Sequence, residues 1–176
     1  MELKKRIRTI RDFPKQGVSF KDITPLLADK KAFRQMIDEI VEHYLSKGMH
    51  FDKVVSAESR GFILGAVLAY EFHAGFVPLR KPGKLPHKTL RQEFKTEYST
   101  DAFEIHSDAI LPGESVLIVD DVLATGGTMK AAIRLVERLH GNINGVFCLI
   151  ELPFLNGRQH VGGHDFFSLF QFDAGE

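Results

Sequence analysis

The chain has 176 residues, 44% of them hydrophobic and 26% charged, with 23 Lys plus Arg balanced by 23 Asp plus Glu. That length suits one domain with a substantial core, and a formal charge of zero argues against nucleic-acid or membrane-surface binding, since both require a basic excess. One cysteine, Cys148, cannot close an internal disulfide and fits a reducing cytoplasm.

Residues 1–20 carry basic side chains with no apolar run behind them, so no secretory signal is expected. No stretch nears the roughly 20 apolar residues of a membrane span, and a cytoplasmic location is expected. Residues 30–46, KKAFRQMIDEIVEHYLS, repeat apolar side chains at helical spacing, and Gly48 follows as a stop. KVVSA (53–57) reads as a short buried strand. GFILGAVLAYEF (61–72) is apolar almost all round, as for a helix covered on a sheet. GFVPLR (75–80) reads as the next strand, with Pro78 marking an edge or bulge.

The segment 81–101 is polar, holds Pro82 and Pro86 and shows no period, which predicts a long functional loop. FEIH (103–106) is strand-like. SVLIVD (115–120) is the clearest strand and residues 127–140 the clearest helix; INGVFCLIEL (143–152) and FFSLFQF (166–172) predict two more strands. Strands alternating with helices predict an α/β fold, with a mainly parallel central sheet flanked by helices. Ligands of such sheets gather beyond the carboxyl ends of the strands.

Asp120 and Asp121 stand at such an end, and Leu123-Ala124-Thr125-Gly126-Gly127-Thr128 then turns into a helix. Free N–H groups and the helix dipole favour an anion there, the glycines allow close approach, and Thr125 and Thr128 add hydroxyls. Ionised carboxylates accept hydrogen bonds but cannot donate them, so their partners are sugar hydroxyls or a hydrated divalent cation. A phosphorylated pentose satisfies both halves, whereas an acidic cap with a glycine turn is the structural alternative. No GxxxxGK[ST] occurs, which excludes a P-loop.

Glu58-Ser59-Arg60-Gly61 offers a second anion-binding turn at the start of a helix, or else a plain cap with a surface arginine. Ser59 lacks the Gly-x-Ser-x-Gly setting of a serine nucleophile. Arg80, Lys81 and Lys84 form a basic trio that suits a diphosphate or is simply a solvated turn. Of eight histidines, His160 and His164 with Asp165 come nearest to a metal site but lack a further ligand, so no zinc is expected.

VLIVDDVLATGGT (116–128) is similar to the phosphoribosyl-diphosphate signature of type I phosphoribosyltransferases. DFPKQGVSFKDITPLL (12–27), ESRGF (58–62) and RKPGKLP (80–86) resemble the adenine phosphoribosyltransferases within that class. Together these stretches extend the likeness over nearly the whole chain. The resemblance implies one domain over 1–176, with a hood at about 1–27 and a flexible active-site loop at 81–101. It implies synthesis of AMP and diphosphate from adenine and phosphoribosyl diphosphate, with Mg2+ carried by the diphosphate and no direct protein metal ligand.

By the same resemblance, Asp120 and Asp121 hold the ribose hydroxyls, and Ala124, Thr125, Gly126, Gly127 and Thr128 hold the 5′-phosphate. Glu58, Ser59 and Arg60, with a strained or cis Glu58–Ser59 peptide, take the diphosphate together with Arg80, Lys81 and Lys84. Glu97, beside Tyr98, supports the base and leaving group. Ser19, Phe20, Lys21 and Val122 bind adenine, Phe20 by stacking; ordinary core is the alternative for that ring. Lys21 and Val122 stand where the family commonly has Arg and Leu. Arg80 is implied to reach a neighbouring subunit's substrate, hence a homodimer. Enzymes for 6-oxopurines typically use a lysine beyond the signature helix, and no lysine follows Lys130 here. A regulator that binds phosphoribosyl diphosphate without catalysis would need an added nucleic-acid surface.

Overall fold

The computed structural model describes residues 2–95 and 100–176. In chain order its elements are β1 (Arg8–Arg11), β2 (Ser19–Asp22), α1 (Thr24–Ala28), α2 (Lys30–Leu45), β3 (Lys53–Ala57), α3 (Arg60–Glu71), β4 (Gly75–Leu79), β5 (Thr89–Lys95), β6 (Thr100–His106), β7 (Ser115–Leu123), α4 (Gly127–Arg138), β8 (Asn142–Glu151) and β9 (Phe166–Gln171). The central sheet is parallel throughout, in the order β4-β3-β7-β8-β9. Pro78 lies on β4, at the sheet edge, where a missing N–H is tolerated.

Strand alternation divides the core. Val54, Leu117, Val119, Phe147 and Leu149 face one side and pack with Met36, Ile37 and Ile40 of α2 and Leu64 and Leu68 of α3. Val55, Val116, Ile118, Val146 and Cys148 face the other and meet α4 through Ala132, Leu135 and Val136. Both sheet faces are therefore covered, which is why these strands read as continuous apolar runs. Asp29 starts α2 by accepting hydrogen bonds from the Lys31 and Ala32 amides at 2.9 and 3.1 Å. No helix among the described residues is long and apolar enough to cross a membrane.

Two sequence expectations change. The 81–101 segment is not a structureless loop: β5 and β6 pair antiparallel from Thr89↔His106 to Lys95↔Thr100. Its period was hidden because only Phe94 is buried along β5. Strand β7 does not stop at Asp120; it stays hydrogen-bonded to β8 as far as Leu123↔Glu151. Helix α3 packs against the sheet as expected, with Ile63 and Tyr70 exposed. At the N-terminus, β1 and β2 form a separate antiparallel ribbon, Arg8↔Asp22 to Arg11↔Ser19, within the segment expected to be the hood.

Close approach of α3 to the sheet depends on Gly65. A Cβ there would lie 2.5 Å from the Cβ of fully buried Ser56 and 3.1 Å from the Phe76 ring. Gly65→Ala gains up to about 1 kcal/mol of helix propensity, but the overlap costs about 1–3 kcal/mol. The variant is expected to unfold at lower urea concentration with an unchanged m value; a higher midpoint would contradict the packing argument.

Candidate active site

Strand β7 delivers two acids side by side, and the first turn of α3 meets them both. The Arg60 Nε lies 2.6 Å from Asp121 Oδ2. At Gly61, a Cβ would stand 3.0 Å from Asp120 Oδ1, so only glycine lets α3 begin this close to the acid. Asp120 Oδ1 also accepts a 2.9 Å hydrogen bond from the Asp121 amide. Burial at the end of an apolar strand raises the Asp120 carboxyl well above the usual carboxylate range. The Asp121 charge adds to this rise, while Arg60 opposes it. The pair is thus unequal, with Asp121 holding the ion pair to Arg60 and Asp120 carrying the raised pKa.

Arg60 also faces the hood. Its guanidinium lies 4.9 Å from the centroid of the Phe20 ring, a cation–π distance. Phe20 is half-buried, belongs to neither core cluster and meets Phe13 edge-on at 5.2 Å. It is therefore not ordinary core. Val122, on the strand just beyond the acids, is half-buried against the α2–α3 side.

The loop after β7 places Ala124 and Thr125 before Gly126, which takes a left-handed φ of 85° and opens α4. A Cβ on Gly126 would lie 2.5 Å from the Gly157 carbonyl oxygen. Gly127 and Thr128 form the first turn of the helix, which contains no acid. The peptide between Glu58 and Ser59 is cis, as the resemblance implies. Ser59 makes no side-chain capping bond to α3, so the plain-cap alternative fails. Glu58 accepts a hydrogen bond from the Lys81 amide and lies 3.7 Å from Arg80 Nε.

Other expected residues are placed differently. Lys81 directs its ammonium to Asp101 on β6, holding that carboxyl below the usual range, and lies over the Phe94 and Phe103 rings. Its charge is therefore committed to the hairpin rather than to the basic trio. Lys84 is exposed. The Lys21 side chain is buried and turned away from the crevice, donating to Thr9 Oγ1, Ser19 Oγ and the Glu176 carbonyl. Ser19 Oγ donates to the same carbonyl at 3.1 Å. Only the backbones of Ser19 and Lys21 remain for a ligand. Glu97 and Tyr98 lie outside the described residues.

One supporting element escaped the sequence reading. The turn Gly157–His160 lies behind the glycine loop, and a Cβ on Gly157 would be 2.2 Å from the Ala124 carbonyl oxygen. Arg158 anchors that turn through two bonds to the Glu151 carboxylate, at 2.9 and 2.7 Å, and Ser168 and Gln171 complete the set at 3.0 Å each. A glycine whose partner lies far along the chain leaves no local signal.

With this geometry in view, the likeness to known proteins is specific. Residues 21–153 match the family described as the phosphoribosyl transferase domain. The chain belongs to this family. The adenine phosphoribosyltransferase of Alkaliphilus metalliredigens is 51% identical over 172 residues, 98% of this chain and 100% of that protein. That of Thermotoga neapolitana is 53% identical, over 94% of this chain and 96% of the relative. The crystal structure of the Thermoanaerobacter pseudethanolicus adenine phosphoribosyltransferase superposes with a TM-score of 0.92 at 53% identity, covering 97% of this chain and 98% of that one. The Saccharomyces cerevisiae enzyme, solved with an imino-altritol bisphosphate and adenine, gives 0.90 at 38% identity, with 96% of each chain covered.

Glu151 yields a prediction about the support behind the loop. Hydrogen bonding from Arg158, then Ser168 and Gln171, holds its carboxyl below the usual range against the opposing effect of burial. A pKa depressed on folding stabilises the protein above the unfolded value, near 4.3, and that share is lost as pH falls through the folded value. Arg158 is half-exposed, so Glu151→Gln should cost only about 1–3 kcal/mol at neutral pH. Urea midpoints at pH 7 and in acid should show the gap between wild type and variant closing at low pH; a constant gap would rule out the charge as its source.

Proposed function

We propose that this protein transfers the 5-phosphoribosyl group of phosphoribosyl diphosphate to N9 of adenine, yielding AMP and diphosphate in purine salvage. The observation that carries the reading is the bridge from Phe20 through Arg60 to Asp121. One arginine spans from a ring suited to a flat base to an acid suited to sugar hydroxyls. The whole-chain likeness to adenine phosphoribosyltransferases supports adenine as that base.

In this reading the ribose hydroxyls donate to Asp120 and Asp121. The 124–128 loop holds the 5′-phosphate through amides at the positive end of α4. The 58–60 turn and Arg80 take the diphosphate, Arg60 exchanging Asp121 for the leaving group, and Lys84 contributes from its exposed turn. Lys81 joins them only by leaving Asp101. Adenine stacks on Phe20 with the Ser19 and Lys21 backbones at its edge and Val122 on the other face. As the C1′–O bond breaks, positive charge develops on the ribose, and the acid pair beneath it is suited to stabilise that charge.

A magnesium ion is proposed to ride on the substrate, as the resemblance implies, where it would neutralise the diphosphate as it departs. Glu97, which lies in the sequence between β5 and β6, is proposed to support base and leaving group. Ile63 and Tyr70 of α3 and Phe76 of β4 are exposed at 42%, 81% and 37%, an apolar surface suited to a second copy in a homodimer. A cytoplasmic location is part of the same proposal.

The base assignment is tested by diphosphate release from phosphoribosyl diphosphate, with each purine base offered in turn. Adenine is expected to be turned over far faster than hypoxanthine, and equal rates would overturn the assignment. Asp120→Asn tests the acid pair. Its raised pKa means that the folded state disfavours the ionised form, so Asp120 destabilises the protein once pH rises past the carboxylate range. The variant should melt at a higher temperature at neutral pH, with no gain in acid. Loss of a charged acceptor should also lower kcat/KM by about 10–100-fold. A variant that is stabilised yet fully active would remove Asp120 from catalysis.

A further inference from the structure

Helix α4 carries charge in places that helix electrostatics disfavour. Lys130 stands in its first turn, at the positive end of the dipole and with no acid there to offset it. Arg134 follows four residues later on the same face, a like-charge spacing that weakens a helix. Both line a hollow of about 530 Å³ between α4 and the hairpin, together with Lys95, His160, Glu93 and the ring of Phe94. Lys95, Lys130 and Arg134 have no side-chain hydrogen bond or ion pair with any described residue, and Glu93 pairs with Arg91 instead. Three cations, unpaired among the described residues, thus line one concave surface with an aromatic wall.

This hollow is lined by α4 and the hairpin with no residue of the β1–β2 ribbon, and it meets the glycine loop at Gly127. The His160 ring lies 3.0 Å from where a Gly126 Cβ would be, and the Lys95 carbonyl oxygen lies 2.7 Å from the corresponding point on Gly127. We propose that the hollow between α4 and the β5–β6 hairpin is a second anion site, which takes a phosphate dianion on Lys95, Lys130 and Arg134. The phosphate comes either free or as the monoester of a flat body lying on Phe94. Occupation neutralises cations that stand directly behind the glycine loop, so it raises the KM for phosphoribosyl diphosphate and leaves kcat unchanged.

The test is calorimetric titration of the full chain, first saturated with AMP, using inorganic phosphate and in a separate arm phenyl phosphate. Wild type should bind one phosphate, and the Lys130→Ala/Arg134→Ala double variant should bind it at least about tenfold more weakly, having lost two charge-assisted contacts. Alanine favours the helix, so the double variant should keep its thermal midpoint and its kcat with adenine. Tighter binding of phenyl phosphate than of phosphate supports a monoester as occupant, and equal binding supports free phosphate. Phosphate affinity unchanged in the double variant, or no phosphate binding by wild type, overturns the proposal. Failure of AMP to bind would bear on the substrate assignment instead, and the phosphate comparison between the two proteins remains readable without it.

Discussion

Two carboxylates at the mouth of a buried strand impose the strongest constraint on this molecule. A charge taken out of water is costly unless it is paired and hydrogen-bonded. Here the cost is divided: Asp121 is paired with Arg60 at 2.6 Å, and Asp120 meets it through a raised pKa and a hydrogen bond from the Asp121 amide. That division decides where α3 begins, because Arg60 must be its first residue to reach the acid. It also requires glycine at 61, where the helix grazes the Asp120 carboxylate, and at 65, where it grazes Ser56. The helix start, the strand end and the hood ring above Arg60 are thus fastened by one side chain.

The loop beyond the acids is supported from behind in a comparable way. Gly126 reaches its left-handed conformation only against Gly157, and the turn that carries Gly157 is tied to β8 through Glu151 and Arg158. Glu151 stands opposite Leu123 in the ladder that carries β7 past its acids. Continuing β7 to Leu123 therefore has a purpose beyond pairing. It brings the start of the glycine loop into register with the residue that anchors its support.

The sheet was legible in the sequence because both of its faces are buried, so β3, β7 and β8 appear as unbroken apolar runs. The acids and the glycine loop were legible because their chemistry is local. The hairpin was not, since the described part of β5 buries only Phe94 and presents its other side chains, at least in part, to water. Nor could the chain reveal that Lys81 would turn to Asp101, because that contact exists only once β6 is folded beside it. Helix α3 packs against the sheet as its apolar sequence suggested, and Ile63 and Tyr70 are left exposed. Hydrophobic pattern specifies that a face must be covered, not that this chain alone covers it.

A formal charge of zero conceals how the charges are arranged. The proposed substrate is anionic at both ends, with uncharged hydroxyls between them. The protein places acids at the centre, where hydroxyl donors need acceptors, with the cations Arg60 and Arg80 on one side and the backbone amides at the start of α4 on the other. Inverting that order would leave hydroxyls facing ammonium groups and phosphates facing carboxylates, each of which forfeits a charge-assisted contact. Selectivity therefore follows from the sequence of charges along the crevice, and net charge carries none of it. Near-neutrality has its own consequence: with no long-range excess to attract other polyanions, the crevice favours ligands whose charges match its spacing.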